Sequence, residues 1–161
     1  MIYWFSDKQW EEAHKKSVRK STKTWKERRD VDAVAKHAVV KCLPVTWGEK
    51  DYRFTKWSVS GHRVTGIRVC ATEFDSGNLV VKEDESKYRV CLLVIVDLRR
   101  RKVAFRGWAY AHEAMKKQFY AGIPRGGSKV KTYRVPALFL RPMSELKENL
   151  ERDKDSVNPN G

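Results

Sequence analysis

Three basic stretches carry the residues most suited to chemistry, and that chemistry is the binding of phosphate. Arg99, Arg100, Arg101 and Lys102 form the densest charge run in the chain. Lys15, Lys16, Arg19, Lys20, Lys23 and Lys26 follow one another with no acid between them. In a third stretch Trp47, Tyr52, Phe54 and Trp57 interleave with Lys50, Arg53 and Lys56. Rings in such a setting stack on unpaired bases while the cations meet the phosphates between them. Each stretch also has a plainer reading. A basic hairpin tip blunts a sheet edge, a lysine-rich helix presents a solvated face, and strand aromatics pack against a helix. For the lysine-rich helix the phosphate reading is favoured, because like charges without acidic partners one turn away repel and cost stability.

Composition supports a polyanionic partner. The chain has 161 residues, with 34 Lys+Arg against 20 Asp+Glu and a formal net charge of +14. Neutralising phosphates releases condensed counterions, so nucleic acid is the first expectation, an acidic protein surface the second and a membrane surface the third. The first ten residues lack the charged start, apolar middle and cleavage site of a signal peptide, and a cytoplasmic protein without a membrane partner is expected. Cys42, Cys70 and Cys91 are odd in number, show no CxxC spacing and lie among apolar residues, as buried thiols do. His14, His37, His62 and His112 are dispersed, and no metal constellation or cofactor is expected. The Gly-Gly-Ser at 126–128 lacks the spacing of a phosphate-binding loop, and the chain contains no GxSxG or HExxH motif.

The elements that must position these residues centre on 88–110. Residues 90–96 are apolar without a break and rich in β-branched side chains, which predicts a strand buried on both faces. The return strand alternates, with Val103 and Phe105 on one side and Lys102, Ala104 and Arg106 on the other. Ser6 and Gln9 make a capping box that opens a basic helix over 6–29. Val31, Val34, Ala35, Ala38, Val39 and Cys42 recur at helical spacing, and Pro44 ends that run. Strands are predicted near 52–57, over 63–72 and at 79–81, a helix over 109–120, an extended segment over 129–140 and a closing helix over 143–150. One domain over 1–150 with a disordered polar tail over 151–161 follows.

This order resembles the core of PD-(D/E)XK, or restriction-endonuclease-like, nucleases, and especially small phage and bacterial members. AVVKCLPVTW at 38–47, GIRVCAT at 66–72, GNLVV at 77–81, RGWAYAHEAMK at 106–116 and YRVPALFLRPMSEL at 133–146 carry the resemblance. It implies an α+β fold with an α-β-β-β-α-β core, a central mixed sheet flanked by helices, extended here by the basic N-terminal helix. It also implies a strand carboxylate and an acid-x-Lys pair that hold Mg²⁺ and a water. By resemblance that pair falls at Arg68 and Cys70, and the helix acid of some members falls near Lys36. Cations and a thiol there repel or ignore Mg²⁺, so a degenerate centre is expected in which Arg68 binds nucleic-acid phosphate instead. Only Asp51, Glu73 and Asp75 stand near enough in sequence to rescue it. The resulting expectation is a non-enzymatic nucleic-acid-binding protein, encoded by a phage or mobile element. The alternatives are a divergent Mg²⁺-dependent nuclease, and an interaction protein acting on a host defence or nucleic-acid-processing protein.

Overall fold

A computed structural model describes residues 1–18, 26–44, 57–59, 62–64, 67–124 and 129–157. Its centre is the predicted hairpin. Strand β6 (Val90–Asp97) is buried from Val90 to Val96, and β7 (Lys102–Tyr110) returns antiparallel beside it. Val103 and Phe105 point inward and Arg106 outward, as their alternation requires. Removing each such Val or Leu from water contributes up to about 1.5–3 kcal/mol, so β6 is the element least able to leave the core.

Strand β4 (Ile67–Thr72) lies parallel to β6, and β1 (Ile2–Trp4) pairs antiparallel with β7 on the other side. The order β1-β7-β6-β4 is a mixed sheet, and the fold is α+β. Strand β5 (Leu79–Lys82) does not join it. It pairs with β9 (Thr132–Val135), which pairs with β8 (Tyr120–Gly122), to give a second, three-stranded sheet. A short ribbon of β2 (Trp57–Val59) and β3 (His62–Val64) completes the strands among the described residues.

Each face of the main sheet is covered by a different partner. Ile67, Leu92, Val94, Val103 and Trp108 pack with Ala13 of α1 (Asp7–Val18), with Val34, Ala35, Ala38 and Val39 of α2 (Lys26–Cys42), and with Met143, Leu146 and Leu150 of α4 (Met143–Val157). Cys91, Leu93, Ile95 and Ala109 instead meet Leu79 and Val81 of β5, Val135 of β9 and the short helix α3 (Ala111–Ala114). The result is three layers: helices, mixed sheet, small sheet.

Several local expectations change. The helix predicted over 6–29 is α1 followed by a separate α2 that already begins at Lys26. The strand predicted over 63–72 is β3 and β4, and of the one predicted near 52–57 only Trp57 lies among the described residues. The helix predicted over 109–120 does not form. Tyr110 ends β7, α3 spans four residues, a 3₁₀ turn takes Lys117–Phe119, and β8 begins at Tyr120. The closing helix runs on to Val157, through much of the segment expected as a disordered tail. Among the described residues no helix is long and apolar enough to cross a membrane.

One crossing locks the C-terminal segment onto the sheet. Trp108 and Arg141 exchange backbone hydrogen bonds, the Trp108 indole N–H donates to the Pro142 carbonyl at 3.0 Å, and the Arg141 guanidinium grips the Glu113 carboxylate through Nε and Nη2. Its Nη1 donates to Glu145 at 2.6 Å, and these two carboxylates hold the Arg141 pKa above its ordinary value. The crossing is tight at Gly107, where φ is +150° and a Cβ would lie 2.7 Å from Leu140 Cβ and 2.9 Å from the Arg141 carbonyl oxygen.

Candidate nucleic-acid interface

The tip at 99–102 is the best-defined basic feature. It joins β6 to β7, the most buried strand pair, so its position is fixed by the core. Its four cations do not act alike. Arg99 and Arg100 are exposed, with Arg100 restrained by Asp97 through its backbone N–H at 2.9 Å and its Nε at 3.9 Å. Arg101 takes left-handed backbone at φ 54° and turns toward the N-terminal segment. Its carbonyl accepts from the Phe5 N–H, its Nη1 donates to Asp7 Oδ1 at 2.6 Å, and its guanidinium lies 5.5 Å from the centroid of the Trp10 ring. Lys102 pairs in register with Trp4, which places its Nζ 5.3 Å from that ring's centroid. Opposite residues of an antiparallel pair share a face, which is why the two side chains meet.

The N-terminal strand therefore brings aromatic side chains to the basic tip. Trp4 is 60% exposed and available for stacking, while Trp10 packs edge-on against Phe5. Sequence reasoning placed the stacking rings at Trp47, Tyr52 and Trp57 instead. Trp47, Lys50, Asp51, Tyr52, Arg53 and Lys56 lie outside the described residues, as do Arg19, Lys20 and Lys23. Trp57 falls in β2, Lys15 and Lys16 in α1, and Lys26 at the start of α2, with side chains outside the description. Because Asp7 opens α1 at the tip, Lys15 and Lys16 follow about 12 Å along the helix axis.

Arg68 and Cys70 share one face of β4, the face that carries Cys91 and Leu93 on β6. Arg68 is exposed and stands 3.9 Å from Glu85, which also pairs with Arg89 at 3.1 Å. Burial raises the Cys70 thiol pKa, and it pushes Cys91 up to about 12, with Glu85 and Cys70 adding to the effect. Both are neutral packing thiols at physiological pH. Lys36 rides on α2, which covers the opposite face of the sheet, so the structure does not bring it together with Arg68 and Cys70. Glu73 and Asp75 lie in the turn after β4, exposed, with Asp75 3.8 Å from Arg106. Among the described residues no three His, Cys, Asp or Glu side chains gather into a metal site.

The tip's coupling to Trp4 and Trp10 was missed because β1 spans only three residues, too few for its alternation to register. The clustering of Trp4, Phe5 and Trp10 around the Ser6 and Gln9 capping box is a signal for it. The chain matches no family model, no curated protein and no solved structure.

Proposed function

We propose that the protein binds nucleic acid without cleaving it, through the 99–102 tip and the adjoining N-terminal elements. One observation carries this reading. Arg99 and Arg100 are exposed at the tip of the most buried hairpin of the fold, while Arg101 and Lys102 hold the N-terminal segment, with its exposed Trp4, at the same tip. Cations there contact phosphates and the indole offers a stacking face. The net charge of +14 adds a long-range attraction for any polyanion.

The scaffold reading is a catalytically degenerate restriction-endonuclease-like core of the kind carried by phages and mobile elements. A helix, α2, packed on a mixed sheet supports it. The departures are β5, which pairs in the second sheet, and α3, which spans four residues where a core helix is expected. At the positions where the resemblance puts the acid-x-Lys pair, Arg68 offers no metal-ligating oxygen and Cys70 is a partly buried neutral thiol.

The test is retention of duplex and single-stranded oligonucleotides at low and moderate salt, each with and without Mg²⁺. Retention that weakens steeply with salt and leaves the strands intact is expected. Absence of retention at low salt, or cleavage that depends on Mg²⁺, contradicts it.

A further inference from the structure

A second basic surface lies away from the tip, around the small sheet. Between Glu113 and Glu145 the chain contains no Asp or Glu, yet it carries Lys116, Lys117, Lys129, Lys131 and Arg134 among its described residues. All five are exposed, and none is ion-paired within the described structure. Arg141, the remaining described cation of this stretch, is neutralised by Glu113 and Glu145.

The same stretch exposes an unusual share of the protein's apolar surface. Leu138 is 89% exposed, Phe139 60%, Ile123 55% and Tyr120 49%. Phe139 and Tyr120 are joined through Phe119. Phe139 packs on Phe119 with ring centroids 5.4 Å apart, Tyr120 follows Phe119 directly, and Tyr120 packs on Tyr133 at 5.8 Å. Lys116 and Lys117 lead into Phe119 through the 3₁₀ turn, and Lys131 lies just beyond the Gly122 and Thr132 pair that ends β8. Glu83 flanks this surface, its backbone N–H donating to the Lys131 carbonyl.

Exposed apolar surface of this size marks a binding site, and the excess of unpaired lysines beside it favours a polyanion. Exposed rings and lysines on one surface suit a chain that carries both charges and flat apolar groups, which describes a nucleic acid with its bases unpaired. We propose that this surface binds single-stranded nucleic acid, with bases stacking on Tyr120 and Phe139 and phosphates meeting Lys116, Lys117 and Lys131. The inference rests on the nucleic-acid reading above and extends it to a second site with strand preference. Duplex, whose bases are not free to stack, engages only the tip.

The experiment titrates the full chain with a fluorescent oligothymidylate and with a duplex of equal length, comparing wild type with the double variant Tyr120→Ala and Phe139→Ala. Both side chains are about half exposed, and unchanged duplex affinity doubles as the check on folding. Single-strand affinity is expected to fall at least about 10-fold in the double variant, with duplex affinity held within about 2-fold. Tyr120→Phe with Phe139→Tyr, which keeps both rings, is expected to bind single strands like wild type. Equal single-strand affinity of wild type and alanine variant overturns this site while leaving the tip reading intact. Binding of poly-L-glutamate as tight as oligothymidylate also overturns it, in favour of an acidic peptide. Failure to bind either nucleic acid removes both readings.

Discussion

Cys91 shows how far burial alone sets the chemistry of a side chain in this fold. It sits in register with Arg68 on the neighbouring strand, yet desolvation outweighs that cation and pushes its pKa up to about 12 from 9.0. The folded state therefore favours the neutral thiol. Its contribution to stability is complete below pH 9.0 and shrinks as the pH rises through the window up to about 12, because there the unfolded chain ionises first. Urea midpoints from pH 8 to pH 11 are expected to fall more for wild type than for Cys91→Ala, and parallel pH profiles contradict the assignment. Burial of Cys91 was legible in its apolar surroundings, as was the absence of acid at Arg68. The division of labour at the tip was not. Arg101 and Arg100 are identical in sequence terms, and only the docking of Phe5, Asp7 and Trp10 separates an anchoring arginine from a projecting one.

Elements built from local pattern were readable, and those built from distant pairing were not. The run at 90–96 and the helical spacing from Val31 to Cys42 declare themselves within a few residues, and both are core elements. The sheet to which β5 belongs depends on β9, some fifty residues later, and no local signal encodes that choice. The false helix over 109–120 has a similar origin. Tyr110, Ala114, Met115 and Phe119 do fall at helical spacing, but they are contributed by a strand end, a single helical turn, its C-cap and a 3₁₀ turn. What fixes the chain there is the crossing of β7 by the Leu140 to Pro142 segment, which needs a glycine at 107. Gly107→Ala places a methyl group against Leu140 and the Arg141 carbonyl at a positive φ, so a loss of about 2–4 kcal/mol is expected. A shift in the urea midpoint reads this directly, and a variant as stable as wild type would mean that the crossing relaxes freely.

For the whole molecule, the layered architecture separates scaffold from surface. The mixed sheet is covered on one face by helices and on the other by the small sheet, so its strands serve as support. Charge, by contrast, was legible from composition alone, and the structure adds where part of it projects: at the 99–102 tip and around 116–134. Both surfaces carry exposed rings and cations, Trp4 at the first and Tyr120 with Phe139 at the second. A protein that uses them on phosphates must lose affinity as salt rises, because each contact releases a counterion. The most direct measurement is the dependence of duplex binding on salt for wild type and for the variant Arg99→Ala with Arg100→Ala. The logarithm of the binding constant is expected to fall linearly with the logarithm of salt concentration, and the variant's slope to be shallower by about 1.8 for two lost phosphate contacts. A flat response, or identical slopes for the two proteins, contradicts phosphate binding by the tip.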